Sequence, residues 1–233
     1  MFDLEGYGPT IFGGAIVTIE LAVLSLLMAL VLGLLGALGK LSSNRLAKGV
    51  ATFYTTLIRG VPDLVWMMLL YFGGQIAINQ IFDFLYYEFG IDYYPQFNEF
   101  VSGVITIGLI FGAYMSETFR GAFMAVDRGQ IEAGKAYGMS NWMVFRRIMF
   151  PQMMRHAIPG IANNWQVLLK TTALVSVIGL ADMVRLATEA AKSTGEPFKF
   201  FLPVAVVYLA IAALSDFTFR QLNIKFSAGV VKG

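Results

Sequence analysis

The chain has 233 residues, of which 57% are hydrophobic and only 14% charged, and its mean hydropathy is +0.67. A soluble domain carries about a quarter charged residues, and here the apolar excess sits in long runs, so the class is integral membrane. A net charge of +2 gives no electrostatic ground for a nucleic-acid partner, and no Cys with one His, His156, excludes a disulfide framework, a thiolate site and a His-rich metal centre.

Met1 to Pro9 carries Asp3 and Glu5 and no Lys or Arg. A cleaved signal peptide opens with a basic region, so the first hydrophobic segment is expected to be retained. A membrane helix needs about 20 apolar residues, and five are expected, at about 11–38, 51–81, 100–119, 161–180 and 198–219. The second is too long for one straight span, so its first turns are expected at the interface. Within the first, Ala29, Gly33 and Ala37 recur at four-residue spacing with Gly36 and Gly39 nearby, a pattern that lets helix backbones approach closely.

Lys and Arg give the orientation. Lys40, Arg45 and Lys48 lie between the first two helices; Arg120, Arg128, Lys135, Arg146, Arg147 and Arg155 between the third and fourth; Arg220, Lys225 and Lys232 after the fifth. Between the second and third, Asp83, Glu88, Asp92 and Glu99 occur with no Lys or Arg, and in 181–197 Arg185 and Lys192 are offset by Asp182, Glu189 and Glu196. The N-terminus is therefore expected outside and the C-terminus inside. Tyr86, Tyr87, Tyr93 and Tyr94 in an outer loop read either as an aromatic belt at the headgroups or as a docking surface for an external partner.

The segment 120–159 is long for a membrane-protein loop and is expected to carry function. Ile131 to Tyr137 reads as a short helix, Gly138 supplies a positive-φ turn, Ser140 or Asn141 caps the next helix, and Pro151 ends or kinks it. Trp142, Phe145, Ile148 and Met149 recur at helical spacing. A basic amphipathic helix lying at the interface would share these features, but it would not require Glu, Gly and Pro at these separations.

Glu132-Ala133-Gly134, three residues, Gly138, nine residues, then Ile148-Met149-Phe150-Pro151 resembles the EAA loop of permease subunits in binding-protein-dependent ABC importers. That family's pattern is Glu-Ala-Ala, three residues, Gly, nine residues, Ile-x-Leu-Pro; Gly134 and Phe150 depart from it. Arg59-Gly60-Val61-Pro62 is similar to the start of the second helix in the polar amino acid branch. The stretches from Ala113 to Gly121 and from Asn163 to Thr172 also match that branch, so the likeness covers almost the whole chain. It is strongest to the Q-type permeases of importers for histidine, lysine, arginine and ornithine. The resemblance implies an all-α type I importer permease, a single transmembrane domain over 1–233. Its implied partners are a homologous second permease, two ATP-binding subunits and a periplasmic amino-acid-binding protein, in a bacterial inner membrane. It also implies that the short helix enters a groove on the ATPase, with Glu132 pairing a basic residue there, Ala133 and Gly134 permitting close packing and Gly138 shaping the turn. ATP and Mg would then be bound by the ATPase, not by this chain.

A central membrane charge costs about 2.5–3.5 kcal/mol on insertion scales, so Glu20, Arg59, Asp63 and Lys170 are candidates for a substrate path. Glu117 and Asp216 have Arg120 and Arg220 three and four residues on, the spacing of helix ion pairs. Arg59 can snorkel to the headgroups. Glu20 has no partner within its own helix; it either meets Arg59 or Lys170, or faces a water-filled path. No Gly-x-Ser-x-Gly elbow, His-Glu-x-x-His motif or Gly-rich phosphate loop occurs, so neither an enzyme nor an ATPase is expected. The rivals are an ion-coupled carrier, which would not need the EAA spacing, and an intramembrane protease, which would need a catalytic dyad.

Overall fold

The computed structural model describes residues 4–93 and 95–227; Asp3, Tyr94 and Lys232 lie outside them. Among the described residues there is no strand. Helix α1 (Gly8–Leu41) starts on Pro9, which fits a first helical turn because it needs no amide partner there. Ser42 to Asn44 turn the chain, and the Asn44 side chain accepts from the amides of Leu46 and Ala47 to open α2 (Arg45–Arg59).

The second hydrophobic segment is not one helix. It divides at Gly60-Val61-Pro62 into α2 and α3 (Asp63–Phe89). Pro62 has no amide hydrogen and disfavours helical backbone at Val61; it sits extended at φ −57°, ψ 141° ahead of α3. The Trp66 indole donates to Ile58 O at 3.1 Å and ties the two helices across the break.

Helix α4 (Glu99–Met124) follows, capped by Asn98, then α5 (Arg128–Ala136), α6 (Asn141–Val144) and α7 (Phe150–Thr171). The expected loop 120–159 is thus largely helical, and α7 begins well before the expected fourth helix. Pro151 does not end a helix either. Phe145–Met149 forms one π-helical turn, in which the Phe150 amide reaches back to Phe145 O, and Pro151 lies in the first turn of α7. The wider turn accommodates a residue that cannot donate, and the helical path runs on. A 3₁₀ stretch, Thr172–Ile178, follows α7 and closes at Gly179, φ +105°.

The expected outer loop 181–197 also contains a helix, α8 (Met183–Thr194), before α9 (Pro197–Ser227). Asp182 caps it by accepting from the Val184 and Arg185 amides, and Gly195 closes it at φ +76°. Its Met183, Ala187 and Ala190 pack with Ile11 and Ala15 of α1 and Phe200 and Val204 of α9.

The most extensive packing joins α1 to α4. The small-residue stripe is the reason: Ala29, Gly33, Gly36 and Ala37 are all buried, and a Cβ on Gly33 or Gly36 would collide with Met115 or Ser116 of α4. Leu21, Ile107, Phe111, Met115, Trp165 and Leu168 form the main core between α1, α4 and α7. By contrast, Met67 is the one described residue of α3 that is buried, and α9 buries Phe200 and Val204. Four described helices, α1, α3, α4 and α9, are long and apolar enough to cross a membrane. The path from Asn141 to Ile178, bent by 53° into α8, adds a fifth if that pair is one span.

Candidate coupling helix and intramembrane charges

Helix α5 is largely exposed and lies at the end where α1 and α4 terminate, with Ile131 packed against the main core. Asp127 caps it, accepting from the Gly129 amide at 2.7 Å. Gly138, at φ +78°, ends it. The Gly138 amide donates to Lys135 O at 2.9 Å and the Met139 amide to Gly134 O at 3.1 Å, the paired bonds of a Schellman turn. Ser140 caps α6 by accepting from the Met143 amide at 3.3 Å.

The four residues assigned to this helix do not share one face. Glu132 and Ala133 are exposed. Gly134 is buried, and a Cβ there would lie 2.6 Å from Ile148 Cδ1 and 3.3 Å from Val144 Cγ2. Its smallness lets α5 seat on α6 and the π turn of its own chain. Tyr137 (88% exposed) and Trp142 (66%) leave two large rings bare beside the turn.

The ends of α1 and α4 are clamped behind α5. Glu117 takes both Lys40 of α1 and Arg120 of its own helix, the latter at 2.9 Å. The Glu117–Arg120 spacing signalled one partner; Lys40, distant in sequence, has no local signal. Asp216 and Arg220 pair at 2.8 Å, as their spacing suggests.

The four candidate path charges are not brought together into an ion-pair network. Arg59 closes α2 and places its guanidinium 5.2 Å from the centroid of the Tyr114 ring, a cation–π contact. Asp63 lies in the first turn of α3 and Lys170 in the last turn of α7. An acid at a helix N-terminus and a base at a C-terminus are both favoured by the helix dipole. The helix breaks that create these ends were hidden in hydropathy, so three charges that looked central stand at helix ends. Glu20 differs: it lies well inside α1, is exposed, and makes no ion pair with Arg59, Lys170 or any other described residue.

Residues outside the candidate set also build polar structure. Gln75 of α3 accepts from the Phe97 amide at 2.6 Å and donates to Asn79 at 2.8 Å. Tyr71 donates to Glu99 at 3.3 Å. Tyr71, Gln75, Asn79 and Asp83 recur every four residues along α3 and line a polar cleft with Gln96 and Glu99. That four-residue recurrence within an apolar run was the available signal. Tyr86, Tyr87 and Tyr93 are exposed at the far end of α3 and in the segment after it.

An α-helical membrane bundle with a capped helical finger beyond one end is the architecture of a transport-system permease. The chain belongs to the family described as binding-protein-dependent transport system inner membrane component, which matches residues 9–227. It is thus an inner-membrane component of such a system, a permease of the amino acid ABC importer type. It is 52% identical over 227 residues to the histidine/lysine/arginine/ornithine transport system permease protein HisQ of Escherichia coli, covering 97% of each chain. It is 38% identical to the octopine transport system permease protein OccQ of Rhizobium meliloti, covering 100% of this chain and 96% of the other. It is 39% identical to the arginine ABC transporter permease protein ArtQ of Haemophilus influenzae, covering 93% of each. A solved amino acid ABC transporter with histidines is 30% identical, with a TM-score of 0.79 and coverage of 97% and 98%. A chain of the MetNI methionine ABC transporter, 12% identical with a TM-score of 0.74 over 94% and 97% of the two chains, shares the fold.

Proposed function

We propose that this permease forms half of the membrane pathway for a cationic amino acid, and that α5 is the contact through which partner ATPases drive it. The observation that carries the coupling role is the geometry of α5. It is a short, largely exposed helix, with Glu132 and Ala133 facing outward and both ends fixed by Asp127 and the left-handed Gly138. Glu132 presents a carboxylate to a basic residue of the ATPase, and Ala133 permits close approach. Gly134 acts from behind by seating α5 on the π turn, so a push on α5 reaches α7 through a rigid connection. The Glu117 clamp joins the same end of α1 and α4.

The substrate class is supported by the relatives, whose names give histidine, lysine, arginine and ornithine, or arginine. Glu20 is the group best placed to serve a cation. It is the one candidate away from a helix end, and a carboxylate in low dielectric attracts an ammonium or guanidinium far more strongly than in water. Arg59, Asp63 and Lys170 border the path at helix ends. The Lys and Arg distribution supports a cytoplasmic α5 and an outer N-terminus. A homologous second permease completes the pathway, a periplasmic binding protein delivers substrate, and ATP and Mg belong to the two ATPases.

The test is uptake of a panel of amino acids by the assembled complex in proteoliposomes. ATP-dependent uptake of lysine, arginine, ornithine and histidine is expected, with co-purification of the ATPases. Uptake independent of the ATPases would refute the reading.

A further inference from the structure

At the α5 end of the bundle, α1, α4, α7 and α9 leave between them a groove of about 470 Å³ lined wholly by apolar side chains, including Leu34, Phe119, Phe150, Met154, Phe219 and Phe226. Along the π turn and α7 it runs from Phe145 to Ile161, roughly 24 Å at the rise of an α-helix. An open apolar groove between membrane helices needs an occupant, and the basic residues next in sequence to two of its lining side chains, long enough to reach its rim, indicate which. Arg146 and Arg147 follow Phe145 directly, on the π turn, and Lys225 directly precedes Phe226 near the end of α9. Arg146 and Arg147 are exposed, Lys225 lies on the surface of α9, and none of the three has an ion-pair partner among the described residues. The neighbouring Arg220 is already committed to Asp216.

We propose that this groove is a binding site for an anionic phospholipid, its acyl chain lying against α7 and α9 and its phosphate held by Arg146, Arg147 and Lys225. An acyl chain supplies flexible apolar bulk that can fill a groove lined wholly by apolar side chains. The headgroup supplies the negative charge that the bare cations lack. Basic clusters at helix ends attract acidic lipids on the cytoplasmic leaflet, and the proposed orientation, on which this point rests, puts the groove there. Because Phe145 to Met149 is also the surface on which α5 seats through Gly134, lipid in the groove would buttress the base of the coupling helix.

The experiment uses the complete complex in nanodiscs, with photoactivatable phosphatidylglycerol or phosphatidylcholine carrying the reactive group on the acyl chain. Cross-linked peptides are mapped by mass spectrometry. Phosphatidylglycerol is expected to label 145–161 and 219–226 in preference to phosphatidylcholine. The triple variant Arg146→Gln, Arg147→Gln, Lys225→Gln should lose about fivefold of that preference per basic residue removed. Leu34→Trp, which fills the groove without touching a charge, should reduce labelling by both lipids. Equal labelling by the two lipids in the wild-type complex would overturn the proposal without reliance on any variant. So would labelling confined to other segments, or cross-linking of this groove to a partner subunit instead of lipid. Accessibility of a cysteine at position 129 tests the orientation separately, so a reversed topology and an empty groove give different results.

Discussion

Gly138 offers a way to separate backbone geometry from side-chain bulk. Its φ is +78°, and nothing lies within 4 Å of where a Cβ would stand. A substitution there therefore meets no packing penalty within the chain, and what remains is the left-handed conformation itself. That costs an L-residue roughly 1–2 kcal/mol, with Asn below Ala and a β-branched residue above both. About 1 kcal/mol shifts a local equilibrium about fivefold, and about 2 kcal/mol about thirtyfold, by the Boltzmann relation at 25 °C. Segments with little burial have low local stability, and α5 buries only Gly134, so penalties of this size suffice to unwind its last turn. The bonds from the Gly138 and Met139 amides would go with it. Gly138→Asn should keep most ATP-dependent uptake, Gly138→Ala should reduce it several-fold, and Gly138→Val should nearly abolish it. The subunit should remain inserted in all three. The assay is uptake in proteoliposomes, normalised to assembled complex. Wild-type uptake in Gly138→Val with normal ATPase association would refute the reasoning. Equal loss in Asn and Val would show that bulk against the ATPase, not φ, governs the position.

Three further outcomes follow from the same geometry. In the cysteine-free background, a cysteine at 93 should react with an impermeant reagent from the outer side and one at 129 should not; the reverse pattern overturns the orientation. Glu20→Gln should lower lysine and arginine uptake more than uptake of neutral histidine, whereas a uniform fall together with lost complex would make Glu20 structural. Gly33→Leu, forced against Met115, should destabilise the α1–α4 contact by roughly 1–3 kcal/mol, read as lower thermal stability of the purified complex, and an unchanged transition would show that the two helices can part without cost.

Hydropathy made α1, α4 and α9 legible because each is a long apolar run, and the small-residue stripe of α1 named the face that meets α4. The helix breaks were harder to see. Pro62 split one apolar segment into α2 and α3, because a missing amide hydrogen matters more locally than a continuous apolar composition. Pro151 did the opposite, since one π turn absorbed its missing donor and let α7 continue. Helix α8 does not stand out in hydropathy because Arg185, Glu189 and Lys192 interrupt its apolar residues; Asp182 and Gly195 are the cap signals that mark its ends. At the candidate coupling segment the spacing of Glu132 and Gly138 was readable, including the positive φ. The inward direction of Gly134 was not, because it depends on Ile148 folding back across the α5–α6 turn.

These breaks change what the intramembrane charges mean. On an unbroken five-helix map, Arg59, Asp63, Lys170 and Glu20 are all charges set within apolar runs. With the breaks in place, Arg59 closes α2, Asp63 opens α3 and Lys170 closes α7, so each gains from a helix dipole and owes part of its position to local structure. Glu20 receives no such compensation. It lies on the exposed side of α1, in a chain whose α3 and α9 also leave most of their surface bare. A carboxylate retained there, at a cost of a few kcal/mol on insertion scales, must meet a cation or water outside this subunit. That requirement and the bare helical faces have the same explanation in the proposed assembly: the pathway wall is completed by a second permease, and the missing cation is the substrate.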